Sequence, residues 1–349
     1  MVSLLVGCAL ASCLQQDLQE PDLTPVPDGG RGSERWTVIR PPAPGEANLF
    51  ALWGDQPDHL FAVGSGGTIL RAVPDPEGRL DRDGRPLLLW TRMDSGTTAD
   101  LTAVHGTSPT DVYAVGLGGT ILRYDGSTWQ AEAPQRAMPD DPPLSADLWG
   151  VFAYSGGAMA VGKGGVWTRR VMGRWQVPGR LQVEGLRGLW GTAPNSLWAV
   201  GSLGFIYFFN GTGWSVVSPP GFTNKLAAVF GTAANNVYAV GLAGSVLRKG
   251  DGGFIDLGAR IDARCGSGPV PRVFLRGGAV TASGDVVLIG WEGVIVRLSS
   301  GCADGGMGLA AWDESGSTSH RLEGIWAQRD GARTTIYISG VAGLVLRGE

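Results

Sequence analysis

Charge is scarce in this chain, and neither sign dominates. Charged residues make up 17% of the 349 positions, the formal net charge is −4, and no Lys/Arg-rich run appears. A phosphate backbone is held by a basic face, so the composition argues against nucleic acid as a partner. Histidine is equally sparse: His59, His105 and His320 are scattered without metal-ligand spacing. No nucleophile-elbow motif occurs, and Gly-rich stretches such as Gly116-Leu117-Gly118-Gly119 lead into strand-like runs, not the helix that a phosphate-cradling loop needs. No segment carries a capped 3.6-residue apolar period, so no long helix is predicted. These absences leave no reason to expect a metal or a cofactor.

Glycine and tryptophan are what the chain has in excess, at 57 and 13 residues. Abundant Gly without a collagen-like period means many tight turns, and 43% hydrophobic residues argue against disorder. Many short strands joined by Gly-rich turns are the mark of an all-β protein.

The first residues, MVSLLVGCALASC, are apolar and end abruptly at QQDLQEPD. They are far too few to span a bilayer, which takes about 20 apolar residues. They read as the hydrophobic part of an export signal over residues 1–13. Leu10-Ala11-Ser12-Cys13 resembles the lipobox of bacterial lipoproteins, in which the cysteine is lipidated and becomes the mature N-terminus. Leu5-Val6-Gly7-Cys8 fits the same pattern with fewer residues ahead of it. No Lys or Arg precedes the apolar stretch, which leaves open a translation start upstream of Met1 and also an ordinary signal peptide with incidental cysteines. Residues 14–35, rich in Pro, Asp, Gly and Gln, lack apolar periodicity and are expected to form a flexible tether with a reach of ~25 Å. Gln15, where an Asp would resemble an inner-membrane retention signal, favours an outer-membrane lipoprotein facing the periplasm or the cell surface.

From Trp36 to Glu349 the chain repeats itself. LTAVHGTSPTDVYAVGLGGTILRYDGSTW from Leu101, LRGLWGTAPNSLWAVGSLGFIYFFNGTGW from Leu186 and LAAVFGTAANNVYAVGLAGSVLRKGDGGF from Leu226 are the clearest copies, with weaker ones from Leu49, Leu148, Leu275 and Leu322. The Gly closing the second apolar run falls at 64, 116, 162, 201, 241, 290 and 340, so the intervals are 52, 46, 39, 40, 49 and 50 residues. That is the spacing of propeller blades of four strands each. Each copy holds four short runs rich in Val, Leu, Ile, Tyr and Trp, separated by turn residues. The fourth run is led by Trp36, Trp90, Trp129, Trp175, Trp214, Phe254 or Trp312. The first of these precedes the first copy, while nothing of the kind follows the last. A seven-bladed β-propeller of 28 strands is therefore expected, its last blade closed by the N-terminal strand at Trp36, which removes exposed sheet edges. A closed ring needs no second copy to fold, so a monomeric domain is expected.

GGTILRYDGSTW resembles the repeat of bacterial propellers of the broad BNR/Asp-box group, including Ycf48-like proteins. It is still more similar to propeller lipoproteins of predatory soil deltaproteobacteria (myxobacteria-type). Asp-box turns run S-x-D-x-G-x-T-W. Asp125-Gly126-Ser127-Thr128-Trp129 is one residue short, Asn210-Gly211-Thr212-Gly213-Trp214 has Asn for Asp, and blades 1, 3 and 6 lack the box. The resemblance implies a fold and a structural turn, not an activity.

Two functions of different class follow from such a fold. One is a non-catalytic, membrane-tethered scaffold of the cell envelope that docks a protein or glycan on its loops. The alternative is a glycan-active enzyme of the sialidase or glycoside-hydrolase kind. Against the enzyme, Tyr113, Tyr238 and Tyr337 share one strand position in their blades, and Glu184, Glu292 and Glu323 show no motif that pairs two carboxylates across a sugar.

First strands line a propeller's axis. Their second positions are Phe50, Thr102, Trp149, Arg187, Ala227, Arg276 and Glu323. Arg187, Arg276, Glu323 and Trp149 are the candidate binding residues at the channel mouth, although a water-lined channel without a ligand accounts for them equally. The fifth positions, Trp53, His105, Phe152, Trp190, Phe230, Ala279 and Trp326, read as a belt packed between blades. Arginine ends the third strand at 71, 123, 169, 248, 297 and 347, and pairing with nearby acids such as Asp111 is the expected reason. Cys265 and Cys302, an even pair in an exported protein, point to a disulfide. Connections alternate between faces, so the bond needs both long loops to bridge the ring. Residues 74–89, 133–146 and 301–311 break the repeat and are where partner specificity is expected.

Overall fold

The computed structural model describes residues 36–39, 41, 47–81, 84–138, 143–257, 272–300, 309–313, 320–331 and 333–348. Cys8, Cys13, residues 14–35 expected to form the tether, Cys265 and Cys302 lie outside these residues. The described chain is a seven-bladed β-propeller of antiparallel four-stranded blades. Blade 1 is Leu49–Gln56, His59–Gly64, Ile69–Pro74 and Leu88–Met93, and blade 2 is Leu101–Ser108, Asp111–Gly116, Ile121–Tyr124 and Trp129–Ala131. Blades 3, 4, 5 and 6 begin at Leu148, Leu186, Leu226 and Leu275. Blade 7 is Leu322–Asp330, Arg333–Gly340 and Val345–Gly348, and Trp36–Ile39 completes it, with Trp36 opposite Gly348 and Ile39 opposite Val345. Trp36 is buried at 6% exposure among Ile336, Ile338 and Leu346.

One strand departs from the expected 28. In blade 3 the outer strand is only Arg174–Trp175, and Gly179–Arg180 returns to pair with Val166–Trp167. The indole of Trp167 lies where a Cβ on Gly179 would stand, at 2.6 Å, so a glycine at that position lets the chain settle on the ring.

The core lies between blades rather than within them. Trp53, Phe61 and Val63 of blade 1 cluster with Leu101, Val104 and Val112 of blade 2, and corresponding clusters occupy each of the other six seams. Alternation along each strand gives both faces of every blade an apolar partner, which is why second strands such as Val112–Gly116 are buried throughout.

The seven glycines that count the blades owe their identity to close approach, not to dihedral freedom. In six of them φ lies between −158° and −178°, as at Gly116 (−164°), which is extended backbone. A Cβ on Gly116 would stand 2.1 Å from the Asp100 carbonyl oxygen, and one on Gly64 1.9 Å from that of Asn48. The following residue then donates its N–H to that same carbonyl, Leu117 to Asp100 at 3.0 Å and Ser65 to Asn48 at 2.9 Å. This fixes the turn between second and third strands against the entry to the first.

Candidate functional site

Each first strand carries a register shift after its opening leucine, between Leu101 and Ala103, Leu186 and Gly188, Leu275 and Gly277, and likewise in the other four blades. The skipped residue is the second position of the strand. A bulge leaves its residue outside the ladder and re-aims the side chain. Phe50, Thr102, Trp149, Arg187, Ala227, Arg276 and Glu323 are thus all bulge residues, and all line one central cavity of about 1000 Å³.

The third position is small in every blade: Ala51, Ala103, Gly150, Gly188, Ala228, Gly277 and Gly324. A Cβ on Gly188 would come within 2.9 Å of the Ala228 Cα, and one on Gly324 within 2.8 Å of the Ala51 Cα. The hub closes around the cavity only because these side chains are small.

Charge collects at the end of the channel where the first strands begin. Arg276 Nε donates to Glu323 Oε2 at 2.7 Å, and Arg321 Nε stands 2.6 Å from Glu323 Oε1. The Glu323 side chain is only 3% exposed, so it is a buried carboxylate held between two guanidiniums. Arg187 lies over the Trp149 ring, 4.4 Å from its centroid. Burial, and then the charge of Arg276, lower the Arg187 pKa. Arg276 and Lys225 flank Phe274 at 5.6 and 5.8 Å, and Arg321 covers Trp291 at 5.3 Å. The opposite arc, blades 1 to 3, presents Phe50, Thr102 and Trp149 instead; Thr102 Oγ1 donates to the Leu148 carbonyl at 2.6 Å, tying blade 2 to blade 3.

The structure therefore brings Arg187, Arg276, Glu323 and Trp149 into one mouth. It adds Lys225, Phe274 and Arg321, each the residue just before a first strand, and Trp291, the second residue of the Gly290-Trp291-Glu292-Gly293 turn. Each stands at a fixed offset from the opening leucine or the closing glycine of its repeat, and that offset is its signal in the sequence.

Deeper in the cavity the fifth-position aromatics pack between blades. The Trp53 indole lies over Gly106 of the next blade, where a Cβ would come within 2.6 Å, and Phe230 lies over Gly278 at 2.2 Å. His105 sits between Trp53 and Phe152, at ring distances of 5.9 and 4.5 Å. Its Nδ1 accepts the Ala153 N–H at 3.1 Å, and burial pushes its pKa down to about 4.

Third-strand arginines serve the blades. Arg123 Nε donates to Asp111 Oδ1 at 2.9 Å, Arg297 pairs with Asp285 at 3.7 Å, and Arg71 Nη1 donates to the Tyr124 hydroxyl at 3.2 Å. The Asp-box-like turns are structural as well: Asp125 Oδ1 accepts the N–H groups of Thr128 and Ser127, which lowers its pKa to about 2, and Asn210 Oδ1 accepts from Thr212 and Gly213. The three aligned tyrosines are buried; Tyr337 donates to the Pro57 carbonyl at 2.8 Å and burial pushes its pKa up to about 12. Glu184 and Glu292 are exposed, whereas Glu323 is buried. Among the described residues no three of His, Cys, Asp and Glu converge as a metal site would require.

The 74–89 insertion packs on the closing seam, where Asp81 pairs with Arg347 of blade 7. The 133–146 insertion is entered beside Glu132, whose carboxylate accepts from Arg170 and from the Trp175 indole at 2.8 Å, and Gln135 N–H donates to the Trp175 carbonyl.

No family model and no curated protein matches the sequence. Solved structures do match. "YCF48 bound to D1 peptide" has a TM-score of 0.65 at 16% identity, covering 90% of this chain and 95% of that one. YCF48 from Cyanidioschyzon merolae gives 0.62 at 16% identity, covering 90% and 98%. The WD40 β-propeller domain of Doa1 gives 0.65 at 10% identity, covering 90% and 97%. At these identities the likeness is one of fold: the chain shares the propeller architecture of these proteins.

Proposed function

We propose that this chain is a non-catalytic interaction scaffold of the cell envelope that docks a partner at the channel mouth. It works tethered to the outer membrane by a lipid on Cys13, with Cys8 as the alternative site. The carrying observation is the cluster of Arg187, Trp149, Arg276, Glu323 and Arg321 on one face of a cavity large enough for several residues of a partner. The likeness in fold to a propeller solved with a bound peptide supports a protein partner.

The strand geometry agrees with a tethered scaffold. Val345 follows the Val341–Gly343 turn on the mouth side and pairs with Ile39, so Trp36, opposite Gly348, stands at the other end of blade 7. The residues before Trp36 therefore join the domain at the end of blade 7 away from the mouth.

The test compares the lipidated protein with a Leu117→Ala/Trp291→Ala variant, which strips the apolar rim of the mouth. Crosslinking in the membrane fraction should join a defined partner to the first and not to the second. The purified domain should not turn over sialosides or plant polysaccharides. Robust turnover, or a partner retained equally by both proteins, contradicts the proposal.

A further inference from the structure

Four cations from consecutive blades face the mouth: Arg187, Lys225, Arg276 and Arg321. The carboxylates among the described residues lining the same cavity are Glu323 and Asp100, and both are committed. Glu323 is divided between Arg276 and Arg321. Asp100 Oδ1 accepts the Gly66 N–H at 2.8 Å, joining blade 2 to blade 1. Arg187 has no carboxylate within ion-pair distance among the described residues. It rests on Trp149 and faces the positive charge of Arg276. Half-buried over the Trp149 ring and beside a second guanidinium, Arg187 carries a planar fork of N–H donors that has no acceptor among the described residues. An entering carboxylate would accept two of those hydrogen bonds and relieve the like-charge contact.

Building on the docking reading above, we infer that Arg187, laid over Trp149, is the carboxylate-recognition group of the channel, and that its occupant is an acidic peptide segment entering from the mouth. The aromatic faces favour peptide over acidic sugar. Trp149 is covered by Arg187, Trp291 by Arg321, and Phe274 is flanked by two cations, while Trp53 and Phe230 lie over glycines of the next blade. A sugar platform needs an open ring face, and each of these rings already has a cation or a glycine backbone against it. The mouth is also lined by apolar side chains, Leu117 at 37% exposure and Trp291, which suit hydrophobic residues next to the acids.

Fluorescence anisotropy with a labelled peptide of alternating Glu and Leu tests this. The wild-type domain should bind it, with affinity falling as salt is added. The Gln/Leu counterpart should bind at least about tenfold more weakly. Arg187→Ala should lose about tenfold, and Arg187→Lys should fall between, because a point charge does not replace the fork. Equal binding of the two peptides, an unchanged affinity for Arg187→Ala, or tighter binding of an oligogalacturonate than of the acidic peptide overturns the inference. The Leu117→Ala/Trp291→Ala variant separates it from the docking reading. If partner capture falls in that variant but not in Arg187→Ala, only the carboxylate assignment fails; if neither variant changes capture, the docking reading fails with it.

Discussion

Arg347 Nη1 lies 3.0 Å from Asp81 Oδ2, and this ion pair crosses the seam at which the ring closes. Arg347 belongs to the third strand of blade 7, and its side chain is 6% exposed; Asp81 comes from the insertion of blade 1. The same seam is tied by the Tyr337 hydroxyl on the Pro57 carbonyl and by the Ala342 N–H on Asn48 Oδ1. Removing one partner of a buried pair leaves the other charge uncompensated. Asp81→Ala should cost about 2–3 kcal/mol in urea unfolding, and Arg347→Leu in the same background should restore part of it.

The N-terminal strand should matter still more. Trp36→Ala removes a buried indole from the blade 6–7 seam and should cost about 3–5 kcal/mol. A chain beginning after Ile39 leaves Val345–Gly348 as an open sheet edge and should aggregate by light scattering at concentrations where the full domain stays dispersed.

Two neighbouring glycines should behave differently. Gly116→Ala drives a Cβ to 2.1 Å from the Asp100 carbonyl oxygen, and should cost about 3 kcal/mol or more. Gly118 has φ of 65° but open space around it, and the equivalent positions in blades 4 to 7 are Leu203, Ala243, Glu292 and Ala342, all at positive φ. Gly118→Ala should therefore cost only about 1–2 kcal/mol. Thermal or urea unfolding of the two variants side by side reads the contrast.

His105 should make stability depend on pH in the acid range. Burial holds its folded pKa near 4, below the ordinary value of 6.5, so the unfolded chain binds the proton more readily. The stabilisation is complete above about pH 6.5 and is lost as the pH falls toward 4, by up to about 3 kcal/mol. His105→Phe should flatten the slope of stability against pH in that window, while above pH 7 it lowers stability by a constant amount for the lost Ala153 N–H acceptor.

The blade count, the strand order and the closing strand were legible in the sequence because each repeat must bury its faces on its neighbours. That requirement stamps the same Leu, Gly and Trp positions into every copy. Arg187, Arg276, Glu323 and Trp149 were legible as channel residues by strand position alone. Three features were not. The bulge that aims those side chains is a backbone event with no residue signature of its own at the second position. The small third position, Ala or Gly throughout, is visible in the sequence but takes meaning only from the approach of Gly188 to Ala228. Asp81 could not be paired with Arg347 from the sequence, since the two stand at opposite ends of the described chain and meet only because the ring closes.

Amide hydrogen exchange of the domain with and without the Glu/Leu peptide tests the central claim most directly. Protection should appear at residues 186–190, 225–228, 274–277 and 321–324, where blades 4 to 7 enter the mouth, and not at the hairpins around 109–110 and 194–195 on the opposite face. Protection confined to that opposite face, or none at a peptide concentration that saturates anisotropy, would contradict the assignment of the mouth as the docking site.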